Sequence, residues 1–439
     1  MSSLIQRMNR SVLKLAVPSI LANITVPLVG MVDLGVAGRL GDEIAIGAMA
    51  ISTMLFDLLY WNMGFLRIGT GGMVAQAYGK RDLSEATSIL VQGVATALSF
   101  AVLILALQYL YVELALKLIP CSAECARLAR EYFYIRIWAA PATLSLFVFK
   151  GFFIGMQNTV SPMLADILVN VANLFLSVLF AIKLDMGFRG IAYAVTIAQY
   201  SGLLLCIVLI IIYYKRLFKY IAIKSSVRLK QMRRFFAVNY NLFIRSLCFL
   251  GIYAGFTSFS TSYGDRILAV NTIMMKLLLL FSFFLDGFAY AGEALVGKYI
   301  GAKEKNQLSL SIRVTFRWGV IVAIISTFAY IFGSEGLVSL LTDNQQVIAD
   351  SRRFYHWLWI MPALSFAAFV WDGIYVGATA TVPIRNCMLV AVLLFFIVYF
   401  VFKDFIGVEA LYLAFMTHVV VRSVYMSMGA KRNVYSRVH

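Results

Sequence analysis

A chain of 439 residues that is 62% hydrophobic and only 13% charged falls well below the roughly 25% of charged residues found in soluble domains. That composition excludes a water-facing globular fold, so the solvent of this chain has to be lipid. The net charge of +17 raises nucleic acid as a partner, but the basic residues gather in short clusters between apolar runs. That distribution excludes a nucleic-acid-binding face and fits the positive-inside pattern of membrane proteins.

Apolar stretches of about 20 residues can cross a bilayer, and they predict about twelve transmembrane helices, with lipid as the surrounding partner. The first, 12–37, carries Asp33 near its far end, and the second, 44–76, carries Asp57 and Arg67. Segments 86–114 and 131–154 follow, with Lys150 at the end of the latter. The fifth, 162–183, holds Asn170, Asn173 and Ser177, and 190–214 completes the first half. A basic stretch from Lys215 to Arg234 precedes segment 236–260, which carries Arg245. The eighth, 267–299, holds Asp286 and Glu293; then come 311–333, 353–378 with Asp372 near its end, 384–402 and 406–428. Gly-interrupted apolar runs of this length exclude a β-barrel, whose strands are about 10 residues long and alternate. The first apolar run is too long for a cleavable signal and continues into a spanning helix. The basic loops fall on one side if the segments alternate, which puts both termini in the cytoplasm.

No H-E-x-x-H, G-x-S-x-G or Walker A pattern is present, which argues against a membrane-embedded hydrolase and against ATP-driven transport by this chain alone. His356, His418 and His439 form no cluster with metal-ligand spacing, so no metal site is expected. Cys121 and Cys125 stand in a predicted outer loop, where a disulfide between them is conceivable.

Internal repetition organises the chain. Tyr132-Phe-Tyr-Ile-Arg-Ile-Trp138-Ala-Ala-Pro141 returns as Arg353-Phe-Tyr-His-Trp-Leu-Trp359-Ile-Met-Pro362, and Gly151 and Gly155 return as Gly373 and Gly377. Gly41-Asp42, Gly64-Phe65 and Gly79 match Gly264-Asp265, Gly287-Phe288 and Gly301. All fall at an offset of about 221 to 223 residues. The expected plan is an N-lobe over 1–214, a basic cytoplasmic linker over 215–235 and a C-lobe over 236–439. Six segments per half keep the halves in the same orientation. Transporters built this way hold substrate near the midplane and rock one lobe against the other.

The motifs resemble the multidrug and toxic compound extrusion (MATE) family, in particular its DinF-like branch. The resemblance is carried by Pro27-Leu-Val-Gly-Met-Val-Asp33, Gly38-Arg-Leu-Gly41, Gly64-Phe-Leu-Arg67 and Val74-Ala-Gln-Ala-Tyr-Gly79. In the second half it is carried by Asn239-Tyr-Asn-Leu-Phe-Ile-Arg245, Asp286-Gly-Phe-Ala-Tyr-Ala-Gly-Glu293 and Trp371-Asp-Gly-Ile-Tyr-Val-Gly-Ala-Thr379. It implies an all-α membrane protein, a V-shaped pair of pseudo-symmetric six-helix bundles. It also implies a monomer in a bacterial cytoplasmic membrane that exports small organic, often cationic, compounds against inward H⁺ or Na⁺, with no other cofactor. A flippase for a lipid-linked precursor shares the two-lobe plan and is the alternative.

An ionisable residue inside a spanning helix costs several kcal/mol if unpaired, so each is a functional candidate. Asp33 is the leading one. Asn170, Asn173 and Ser177 recur at helical spacing on one face and are expected to join Asp33 in binding the coupling H⁺ or Na⁺. The family's Asn-x-x-x-Asp pattern reads Asn173-Leu-Phe-Leu-Ser177 here, which leaves Asp33 as the main acid of the first half. A structural carboxyl bonded across helices is the other reading. Arg245 and Glu293 are expected to form an intramembrane pair, as a proton-linked switch or a permanent structural contact. Lys150 and Asp372, equivalent under the repeat and opposite in charge, suggest a cytoplasmic gate. Arg67, Asp57 and Asp286 are further intramembrane polar groups. Tyr60, Trp61, Phe149, Phe153, Phe284 and Trp371 are aromatics suited to a cavity that receives cations.

Overall fold

A computed structural model describes residues 2–39, 43–119, 121–221, 223–227, 229–342 and 344–438. Gly41 and Asp42 lie outside the described residues, as do the side chains of 26–32. The described residues are helical almost throughout and contain no strand. We label the long helices α1 (Ser2–Arg39), then α2 (Ile44–Gly79), α3 (Leu83–Lys117), α4 (Ala123–Gly155), α5 (Val160–Lys183) and α6 (Gly187–Tyr213). The second set is α7 (Met232–Thr261), α8 (Asp265–Gly301), α9 (Lys305–Ser339), α10 (Gln345–Gly377), α11 (Thr381–Ile406) and α12 (Glu409–Arg437). All from α2 onward are long and apolar enough to cross a membrane. The chain is an all-α multi-pass membrane protein.

Helix ends follow local chemistry. The Asp82 carboxylate accepts from the Glu85 N–H at the start of α3 (2.8 Å), and the Asn344 side chain accepts from Gln346 and Val347 at the start of α10. Such caps satisfy donors that a helix leaves open in its first turn. In α4 a 3₁₀ turn at Ile137–Ala139 precedes Pro141, which has no N–H to bond the Ile137 carbonyl.

The repeat read from the sequence extends to backbone conformation. Arg81 (φ 59°), Gln157 (63°) and Asp185 (52°) end α2, α4 and α5 in the left-handed region; at the matching positions Lys303 (60°), Thr379 (51°) and Gly407 (57°) end α8, α10 and α11. The closing bonds match as well: Asp82 N–H to the Ala77 carbonyl at 3.0 Å, and Glu304 N–H to the Tyr299 carbonyl at 2.9 Å. This is the six-to-one bond that stops a helix on a left-handed residue.

The chain separates into two compact units, Leu21–Phe236 and a second formed by Met1–Ile20 with Ala237–His439. The first turns of α1 thus pack with the second unit, where Asn9 accepts from Trp318 Nε1 (2.9 Å). Each unit has its own apolar core, with Phe56, Tyr132, Phe133 and Phe188 in the first and Phe256, Phe354, Tyr412 and Phe415 in the second. Large apolar side chains also cover the outside, Phe332 being 84% and Phe405 82% exposed. That surface is stable only against lipid.

The repeated glycines mark where helices touch backbone to backbone. A Cβ on Gly151 would lie 2.3 Å from the Arg67 carbonyl oxygen, and one on Gly373 would lie 2.0 Å from that of Ala289. One turn on, Gly155 meets the Gly71 carbonyl and Gly377 meets that of Glu293. Only glycine permits such an approach, and in membranes close packing of this kind replaces the hydrophobic drive between helices. The helix pairs α2–α4 and α8–α10 are therefore equivalent struts of the two units.

Candidate functional site

The first unit buries a carboxylate between two helices. Asp33 on α1 is 6% exposed, and Asn173 and Ser177 on α5 are 1% and 0% exposed. Asn173 Nδ2 donates to Asp33 Oδ1 at 2.8 Å. The Ser177 hydroxyl lies 3.5 Å from the same oxygen and 3.4 Å from Asn173 Oδ1. A spacing of four residues stacks the amide and the hydroxyl one turn apart on one face. Directly after Ser177, α5 widens into a π-helical turn at Val178–Lys183, a local irregularity often found at functional sites.

Asn170 takes a different partner. One turn before Asn173, its Nδ2 donates to Thr25 Oγ1 at 2.7 Å. It clamps α5 to α1 but does not touch Asp33.

Arg136, which sequence reading does not single out, completes this cluster. Its guanidinium stacks over Phe56, 4.3 Å from the ring centroid, and donates to Tyr132 Oη at 3.3 Å. Its charge acts on both Asp33 and Asp57. Asp57 is on the exposed face of α2. Two carboxylates thus feel the charge of one guanidinium.

In the second unit the expected pairing of Arg245 with Glu293 is replaced. Arg245 binds Asp372, with Nη2 on Oδ2 and Nε 3.4 Å from Oδ1. Glu293 is buried on α8, at 1% exposure. The sequence gives the depth of each charge, but the rotation of each helix decides which carboxylate Arg245 meets. A second guanidinium, Arg422 on α12, lies 3.6 Å from the same Asp372 Oδ2. Both stack on one ring: the centroid of Phe249 is 4.9 Å from the Arg245 guanidinium carbon and 4.6 Å from that of Arg422.

Lys150 and Asp372, the residues suggested for a gate, each have a partner in their own unit. Lys150 binds Asp166, and Asp372 is held by the two arginines. Arg67 is half-buried on α2, and Asp286, half-buried on α8, acts electrostatically on Tyr253.

Of the aromatics, Phe153 is packed against Phe152 and Tyr214 in the core. Trp371 donates to Ser427 (2.7 Å) and lines a cavity of about 470 Å³ with Phe316, Arg313 and Tyr435. Cys121 and Cys125 are free thiols. Among the described residues no group of three His, Cys, Asp or Glu side chains could hold a metal ion.

Known proteins share this arrangement of helices. The MatE family profile matches residues 18–179 and 242–401. The chain is 32% identical to the DNA damage-inducible protein F of Escherichia coli over 424 residues, 95% of this chain and 91% of that protein. Its fold is shared with the MATE transporter VcmN of Vibrio cholerae in the bent form (TM-score 0.86, 14% identity, 99% of each chain). It is shared also with a multidrug resistance MATE transporter in its outward-facing conformation (TM-score 0.84, 18% identity, 98% of this chain and 96% of that one). The chain belongs to the MatE family, as a multidrug and toxic compound extrusion transporter of the DinF-like branch.

Proposed function

We propose that this transporter is a secondary antiporter, exporting small organic, often cationic, compounds in exchange for H⁺ or, in its place, Na⁺. No cofactor beyond that cation is needed. The observation that carries the reading is the buried Asp33 carboxylate held across α1 and α5 by Asn173 and Ser177. An ionised carboxyl in lipid is costly. Uptake of a proton removes the charge and weakens the charge-assisted bonds that join the two helices. The protonated and ionised forms then favour different conformations, and the population shifts by the difference in free energy.

H⁺ is favoured over Na⁺ because Ser177 stands where the family pattern has a second acid, which leaves Asp33 as the one carboxylate of this site to take up the cation. We read the protein as a monomer in a bacterial cytoplasmic membrane with both termini on the cytoplasmic side, in line with its clustered basic loops.

Proteoliposomes loaded with a fluorescent organic cation test this, with ΔpH and ΔNa⁺ imposed separately. Export driven by ΔpH is expected. Absence of export under either gradient would overturn the antiporter and favour a flippase for a lipid-linked precursor.

A further inference from the structure

Three charged side chains meet in the core of the second unit, and their charges do not cancel. Arg245 engages both oxygens of Asp372. Arg422 reaches the same carboxylate only at 3.6 Å, beyond hydrogen-bond length. Arg422 is 1% exposed, and its Nε and Nη2 are buried without a hydrogen-bond acceptor. We propose that Arg422, together with Arg245, forms a binding site for one small monoanion between α7, α10 and α12.

Charge sets the valence of the ligand. A guanidinium does not deprotonate in proteins, so the cluster of two arginines and one aspartate keeps a net charge of +1. Burying an uncompensated ion in low dielectric costs several kcal/mol, and each unmade N–H bond adds to that. The groups that act on Arg422 are Asp372, Arg245, Cys387 and Tyr253, one carboxylate among them. His418, one turn earlier on α12, feels the charge of Arg422 but carries no negative charge to offset it. One monoanion brings the site to neutrality.

The rings set which edge of Arg422 is left. The rings of Phe249 and Phe369 lie 4.6 and 5.6 Å from the Arg422 guanidinium carbon. Ring faces attract a cation but offset only part of a full charge. With rings against the guanidinium, its N–H edge is what remains for an acceptor, which suits a halide ion or a carboxylate group. The carboxylate could belong to a transported compound, and the halide to the surrounding solution.

The test uses the full chain purified in detergent. Its thermal unfolding is followed as chloride or acetate replaces a bulky sulfonate at constant ionic strength. The midpoint is expected to rise by roughly 2–4 °C with at least one of the two anions. Arg422→Gln should abolish the rise. Asp372→Asn removes the fixed anion, and should lower the half-saturating concentration by about tenfold. A response to chloride alone assigns a free inorganic ion; to acetate alone, a carboxylate-bearing compound; to both, a site open to either. No response of the wild type to either anion overturns the proposal, as does an equal response in Arg422→Gln. Should Arg422→Gln fail to fold, an unchanged or weaker response in Asp372→Asn overturns it.

Discussion

In the first unit two carboxylates, Asp33 and Asp57, share the charge of one guanidinium, Arg136; in the second, two guanidiniums share the carboxylate of Asp372. The backbones around them are repeats of one another, down to the left-handed residues that end the helices. The charges are not repeats. Trp357 stands at the position matching Arg136, and Lys150 at that matching Asp372. Glycines and helix ends are fixed by backbone geometry, which both units need. A buried charge is costly wherever it stands, so each unit retains only what its own chemistry uses. The excess around Arg136 is acidic and that around Asp372 is basic.

The largest effect should come from the acidic side. Asp33→Asn is expected to bring ΔpH-driven export in proteoliposomes down to the background of empty liposomes, with the protein still folded. Export at the wild-type rate would remove Asp33 from the coupling step.

Next come the ion pairs, where burial separates the units. Asp372→Ala leaves two guanidiniums without their carboxylate and should cost about 3–5 kcal/mol in unfolding measurements. The Asp166 side chain is 20% exposed, against 11% for Asp372, and Asp166→Ala should cost less than Asp372→Ala. Equal losses would break the contrast drawn here.

Smaller again is the effect on the helix struts. Gly373→Ala and Gly151→Ala should each lose about 1–3 kcal/mol through overpacking. The loss should be greater at Gly373, whose Cβ would lie 2.0 Å from a carbonyl oxygen rather than 2.3 Å. Thermal midpoints of the two variants compare the struts directly.

Asn170→Ala should do least, removing the bond to Thr25 for about 1 kcal/mol while leaving the pH dependence of export as in the wild type. Asn173→Ala, by contrast, should alter that dependence. An Asn170 variant with altered coupling would return Asn170 to the ion site.

Much of the frame was legible in the sequence because it rests on periodicity. Apolar runs near bilayer length gave the helices, and collinear Gly and Pro gave the repeat. Asp33, Asn173 and Ser177 were legible too, since a four-residue spacing fixes a shared face and depth limits the choice of partner. The same rule drew in Asn170, whose bond in the structure goes to Thr25. What spacing cannot give is the rotation of one helix against another, and that decided the partners of Arg245, Lys150 and Asp372. Arg422 left a plain signal, a guanidinium in the middle of the last apolar segment with His418 one turn before it. Arg136 lay within the repeated Tyr-Phe-Tyr stretch, where an arginine reads as an interfacial anchor.

The glycine contacts bear on how force moves through the second unit. Where two backbones touch, neither helix can roll without carrying the other, so α8 and α10 act as a single beam. Glu293 and Asp372 are mounted on that beam: the carbonyl facing Gly377 is that of Glu293 itself, and Asp372 is next to Gly373. Arg245 and Arg422 stand on separate helices. Neutralising or capturing a charge at Asp372 would therefore release or grip the whole beam at one point, as a clasp does.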